Sequence, residues 1–134
     1  MIQATYQPTG DFYSIYKIEC KATGRVYIGK TIYAPYRMKK HRNDLRRGKH
    51  HVSLMQKDFD LYGEQSFSFE VIDRVERVAI PHGKRGFHYS DSLKEKEYMN
   101  RFKSYLPEYG YNYKDNYFHP LWMRKAEKRK KNAS

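Results

Sequence analysis

Two aromatic runs decide the fold: FYSIYKIEC at residues 12–20 and RVYIG at residues 25–29, joined by KATG at residues 21–24. Tyr, Ile and Phe dominate both runs, the composition of strands. Turn residues ending on Gly24 separate them, so the pair reads as a β-hairpin with a slightly long connection. Cys20, the only cysteine, can form no intramolecular disulfide. It reads as a small buried hydrophobe in a chain kept in a reducing cytoplasm.

Downstream of the hairpin the pattern changes to helix. Pro35 suits a first turn, residues 36–47 are good helix formers, and Gly48 is a stop. Val52, Met55, Phe59 and Tyr62 recur at three- and four-residue intervals and mark a second helix that ends at Gly63. Phe67, Phe69 and Val71 then alternate with Ser68, Glu70 and Ile72 as a third strand. Residues 75–90 carry Pro81, Gly83 and Gly86 and read as a long functional loop. A last helix is expected over residues 93–106, burying Leu93, Met99, Phe102 and Leu106, with Pro107 as its end. Residues 109–113, YGYNY, suit a final extended segment against the sheet. Upstream, residues 1–11 are polar and aperiodic, a lead-in. The order predicts an α+β domain: a small three-stranded antiparallel sheet flanked by helices.

Composition limits the partners. Lys and Arg number 27 against 15 Asp and Glu, a formal charge of +12, and the pI is about 9.7. Such an excess favours a polyanion, because neutralised phosphates release counterions. Aromatics at 16% with a mean hydropathy of −1.02 imply a folded core of Tyr and Phe whose hydroxyls find partners at its edges. No apolar run approaches a membrane span or a signal-peptide core. The six histidines and one cysteine show no zinc-site spacing. The basic stretch over residues 37–49, with Arg42, Arg46, Arg47 and Lys49, suits a phosphate-tracking surface. The run over residues 124–131 suits non-specific affinity, and Phe118 and Trp122 suit packing of that tail onto the domain.

Ser14-Ile15-Tyr16 and Tyr27-Ile28-Gly29, facing each other across the hairpin turn, resemble the signature of the GIY-YIG nucleases, with Ser14 in place of the first glycine. The resemblance continues in order. Arg37 stands where the family keeps an arginine, and His41 follows one turn later. His50 comes after this helix as in phage homing endonucleases of the family. Glu95 occupies the slot of the metal-binding glutamate, and Asn112 matches the polar residue that closes the motif set. The resemblance implies a catalytic domain over residues 12–113, followed by a basic tail over residues 114–134. It implies a metal-dependent DNA endonuclease holding Mg²⁺ on Glu95, with Mn²⁺ as a substitute. The pattern is closest to phage intron-encoded and free-standing homing endonucleases, which suits a homing or nicking nuclease and would place a phage-encoded protein in the host cytoplasm.

The chemistry fits phosphodiester hydrolysis. Glu95 is a hard anionic ligand for a cation that keeps most of its waters. Arg37 forks onto phosphate oxygens at any working pH, and His41, four residues on, shares its helix face. A free phenol has a pKa of about 10, so a tyrosine base needs a cation or donors to favour its phenolate. The family's base is one of the two strand tyrosines. Tyr16 is favoured here, with Tyr27 and Lys30 in support. Ser92 and Glu95 also fit a capping box, S-x-x-E, at a helix start, and Glu97 competes for the metal. DNA contacts are expected from Arg42, Arg46, Arg47, Lys49, His50 and Asn112, through the phosphate backbone. No protein partner is required and no region for sequence-specific binding is expected after Asn112. The alternative is a basic nucleic-acid-binding protein with the same fold and no catalysis.

Overall fold

The hairpin forms as its sequence predicts. In the computed structural model, which describes residues 7–113, β1 (Gln7–Cys20) and β2 (Val26–Thr31) pair antiparallel. Tyr16 lies opposite Gly29 and Ile18 opposite Tyr27. The turn closes with the Gly24 amide donating to the Cys20 carbonyl at 2.7 Å, Gly24 taking a φ of +79°. Helix α1 (Ala34–Arg46) has Pro35 in its first turn, and α2 (Ser53–Tyr62) stops at Gly63. β3 (Phe67–Pro81) follows, then β4 (Phe87–Tyr89) and α3 (Ser90–Phe102).

The sheet has four antiparallel strands in the order β2-β1-β3-β4, one more than the sequence predicts. Two readings fail for one reason. β3 runs on to Pro81 and turns back into β4, so residues 75–90 are a hairpin and not a loop. Pro81 falls at the end of its strand, where a missing amide is tolerated, and the His82 amide closes the turn onto the Gly86 carbonyl at 2.8 Å. The long β3 gives β1 a partner as far back as Gln7, so part of the expected lead-in is strand. Polarity marks residues 1–11, and Pro81, Gly83 and Gly86 mark residues 75–90, as irregular, but ladder pairing makes strand of β1 from Gln7 onward and of β4.

Helices cover both faces of the sheet. On one side, Tyr16, Ile18, Cys20 and Tyr27 pack with Leu45 of α1, Val52 and Met55 at α2, Phe67 and Tyr111. On the other, Ile15, Val26 and Ile28 pack on Met99 of α3, with Tyr98 and Phe102 beside them. The alternation of strand side chains sends neighbours such as Ile15 and Tyr16 to opposite layers. A bulge between Ile15 and Tyr16 leaves Ile72 of β3 without a direct register partner, and from there Ile72 and Val75 serve the α3 layer.

α3 starts earlier than its apolar pattern suggests. The Ser90 hydroxyl accepts from the Val78 amide at 2.7 Å and donates to the Glu76 carbonyl at 2.6 Å, tying the helix start to β3. Leu93 is therefore an exposed helix residue, and Leu106 lies beyond the helix. Tyr62 is likewise largely exposed. The segment at residues 109–113 does lie against the sheet, with Gly110 bridging Val26 in parallel. A Cβ on Gly110 would overlap the Ser104 backbone, so only glycine allows this approach. Arg25 forks onto Asp58 at 2.9 and 3.2 Å, and the Tyr111 hydroxyl donates to the same carboxylate at 2.7 Å. This cluster locks α2 to the hairpin. The anchors proposed in the tail, Phe118 and Trp122, and the basic run at residues 124–131 lie outside the described residues, as do residues 1–6.

Candidate active site

Tyr16 sits at the end of a chain of hydrogen bonds whose direction can be worked out. The Val52 amide donates to His50 Nδ1 at 3.0 Å, so the neutral His50 ring carries its proton on Nε2. That nitrogen lies 2.7 Å from His41 Nδ1 and donates to it. His41 then carries its own proton on Nε2, 2.8 Å from the Tyr16 hydroxyl oxygen. The Tyr16 oxygen accepts. Arg37 Nε approaches the same oxygen at 3.5 Å, a long contact from a second donor. Two donors on one phenolic oxygen favour its phenolate, which supplies the assistance a tyrosine base needs.

Both imidazoles are neutral. Burial, with His50, Arg37 and His51 adding to it, lowers His41 to about 3. Burial, then His51, lowers His50 to about 4. His51, which no motif predicts, stacks on His50 with ring centres 4.6 Å apart. The Tyr27 ring lies edge-on to His41 at 5.4 Å and 6.2 Å from Tyr16. The phenols form the floor of the site, with Tyr16 only 1% and Tyr27 3% exposed. A small pocket of about 60 Å³, lined by Arg37, Lys40, His41, Asp44 and His51, opens beside His41. It has room for about two waters.

Lys30 is not beside Tyr27, contrary to expectation. Residues three apart on a strand point to opposite faces, and Lys30 belongs to the α3 side. Its ammonium donates to Asp91 and to the Ser92 hydroxyl, both at 2.7 Å. Arg77 forks onto the same Asp91, which is fully buried. Burial opposes the charge of Asp91, but the bonds from Arg77 and Lys30 outweigh it and hold the carboxyl below the usual carboxylate range. Ser92 therefore serves Lys30 and is no cap. The residue before α3 is Tyr89, with no side-chain cap bond.

Glu95 lies one turn beyond Asp91 on α3. Burial pushes its carboxyl up to about 7, with Lys30 working against the rise and Asp91 adding to it. Among the described residues no group of three or more His, Cys, Asp and Glu could cage a metal. Glu95 suits a cation that takes one carboxylate and keeps its waters, the habit of Mg²⁺. Asp91 has both oxygens engaged, and Glu97 is exposed and paired with Lys94 and Arg101.

The expected DNA contacts divide. Arg47 and Lys49 are exposed, and Arg42 lies over the Phe69 ring at 4.4 Å. Arg46 is forked onto Glu64 at 2.6 and 2.7 Å. His50 is buried in the relay. Asn112 is fully buried, accepting from the Ile28 amide at 2.8 Å and donating to its carbonyl at 3.0 Å. It completes the backbone bonding of β2 instead of facing DNA.

A family model described as the GIY-YIG catalytic domain matches residues 12–112. The chain belongs to the GIY-YIG family. By family it is an endonuclease of the GIY-YIG type. Two solved structures share the fold: a mutant of the catalytic domain of intron endonuclease I-TevI and the catalytic domain of homing endonuclease I-TevI. The first is 22% identical with a TM-score of 0.59, over 81% of this chain and 99% of that one. The second is 23% identical with a TM-score of 0.55, over 73% of this chain and 96% of that one. No curated protein sequence matches significantly. Among the described residues no helix is long and apolar enough to cross a membrane.

The GIY-YIG residues have a physical reason to stand together. A Cβ on Gly29 would overlap the Tyr16 ring, so the glycine of one tripeptide makes room for the tyrosine of the other. Ser14 replaces a glycine at a position paired with Thr31 and Arg74, well clear of that contact.

Proposed function

We propose that this GIY-YIG domain hydrolyses DNA phosphodiester bonds with the help of Mg²⁺. The observation that carries the proposal is the relay ending on Tyr16, with Arg37 alongside. Tyr16, in its phenolate form, takes the proton of the attacking water as that water's oxygen bonds to phosphorus. The water enters past Arg37, whose guanidinium turns onto the phosphoryl oxygens and offsets their growing charge. The P–O ester bond breaks and the leaving oxygen is protonated from solvent. Glu95 would hold the cation, which when bound adds Lewis-acid stabilisation of the phosphoryl charge. Glu95 is coupled to Lys30 near the end of β2 on the α3 side, and Arg37 reaches Tyr16 on the α1 side. The proposal therefore requires the phosphate to bind at this end of β2.

DNA is engaged through its backbone by Arg42, Arg47 and Lys49 together with Lys39 and Lys40 of α1. One site per chain makes nicking the natural outcome for a free-standing domain of the homing type. A second reading, a basic nucleic-acid-binding protein without catalysis, draws on the depth of the two phenols in the core.

A supercoiled-plasmid assay separates the two. Nicking with Mg²⁺ that stops with EDTA, Arg37→Ala or Glu95→Ala, while DNA binding survives Glu95→Ala, supports the nuclease. Binding by the unsubstituted protein with no cleavage of plasmid, single-stranded or branched DNA supports the second reading.

A further inference from the structure

Three large exposed side chains lie close together in sequence at the entrance to α1. Ile32, Tyr33 and Tyr36 are 69, 63 and 65% exposed, whereas Tyr16, Tyr27 and Tyr111 are core residues. Leaving three large apolar side chains in water costs hydration free energy, so a patch of this kind marks a contact surface. Its place in the fold narrows the partner. Tyr33 immediately precedes α1 and its carbonyl accepts from the Arg37 amide at 3.2 Å. Tyr33, Tyr36 and Arg37 thus share one turn of helix. Their backbone positions lie within about one helical pitch, 5.4 Å, of that of Arg37, whose guanidinium reaches the Tyr16 oxygen.

Charge points the same way. No Asp or Glu occurs between Glu19 and Asp44, and α1 itself carries Arg37, Lys39, Lys40 and Arg42, of which Lys40 pairs with Asp44. The first turn of α1 has no acidic residue and no side-chain cap, a helix end suited to an anion. Aromatic rings beside a phosphate-binding cation form the arrangement that receives nucleobases, because each base brings a π-face next to its phosphate. In a regular duplex those faces are stacked on each other and out of reach.

We propose that Tyr33 and Tyr36, flanked by Ile32, form a stacking platform for unpaired bases next to the phosphate held by Arg37. The inference rests on the nuclease reading and adds a substrate class to it: DNA that is single-stranded or distorted at the cleavage point. Duplex DNA is then cut where bases can leave the stack, and mismatched or bulged sites are preferred over perfect duplex.

The test uses the full chain carrying Glu95→Gln, to prevent cleavage, and two ligands of equal length. One is a fluorescent oligothymidine, the other an abasic oligonucleotide with the same phosphates and no bases. Adding Tyr33→Ala and Tyr36→Ala together should weaken oligothymidine binding about fivefold or more and leave the abasic ligand unchanged. Tyr33→Phe with Tyr36→Phe should restore it. Arg37→Ala should weaken both ligands alike. Equal loss for both ligands on removing the tyrosines, or no loss for either, overturns the stacking platform while leaving the nuclease reading in place. Failure of the Glu95→Gln chain to bind either ligand also overturns the platform, while plasmid nicking by the unsubstituted protein decides the nuclease reading separately.

Discussion

Replacing Glu95 with Gln should make the protein more stable once the pH rises above the ordinary carboxylate value, and by the full amount above about 7. Burial raises the Glu95 carboxyl from an ordinary 4.5 to about 7. A group whose folded pKa is raised contributes stability that is fully present below the unfolded value and is lost as pH climbs through the folded one. The full shift corresponds to about 3 kcal/mol at most, and partial solvent access reduces the expected gain to about 1–2 kcal/mol. Urea unfolding followed by circular dichroism, at pH 4 and pH 8.5, measures the difference. Glu95→Gln should match the unsubstituted protein at pH 4 and exceed it at pH 8.5. Millimolar Mg²⁺ at pH 8.5 should then stabilise the unsubstituted protein and not the variant, because ligand binding to the folded state adds stability only where the ligand exists. A Gln variant no more stable at pH 8.5, or a gain independent of pH, refutes the buried carboxylate. Equal stabilisation of both proteins by Mg²⁺ refutes Glu95 as its ligand.

Three further outcomes follow from the site. His41 and His50 are held at about 3 and about 4, below their ordinary value, so the stability they carry is present above pH 6.5 and lost as pH falls toward 4. His50→Phe should flatten that loss in urea titrations at pH 7 and 5, and slow nicking about tenfold by removing the donor that sets the His41 tautomer. Gly29→Ala should cost about 1–3 kcal/mol by forcing a methyl into the Tyr16 ring, seen as a lower urea midpoint together with lost nicking. Asn112→Ala should cost about 2–3 kcal/mol, since two bonds to Ile28 disappear in a dry interior. Its DNA affinity, read by anisotropy on folded protein, should not change.

Much of this was legible in the chain itself. Alternation and turn chemistry marked the hairpin, and the order of Tyr16, Tyr27, Arg37, His41, His50 and Glu95 pointed to the family. The fourth strand escaped because Pro81, Gly83 and Gly86 signal a turn equally well inside a hairpin and inside a loop. Only the long partner strand distinguishes the two. Asn112 escaped for another reason: an amide that pins a strand and one that touches DNA look alike until burial is known. The position of Lys30 is readable from strand alternation alone. Nearness in sequence to Tyr27 suggested contact, but strand alternation places residues three apart on opposite faces. Asp91 carried a signal as well, standing four residues before Glu95 on the same helical face. Its second cation, Arg77, arrives through the β3–β4 hairpin that the sequence did not disclose.

The most direct test of the site is single-turnover plasmid nicking by Tyr16→Phe, beside Tyr27→Phe, with DNA affinity measured for each. The ring of Tyr16 stays in place while its oxygen, the end of the relay, is removed. The account predicts a loss of about 10²-fold or more for Tyr16→Phe at unchanged affinity, and a smaller loss for Tyr27→Phe. Cleavage by Tyr16→Phe at the unsubstituted rate would contradict it.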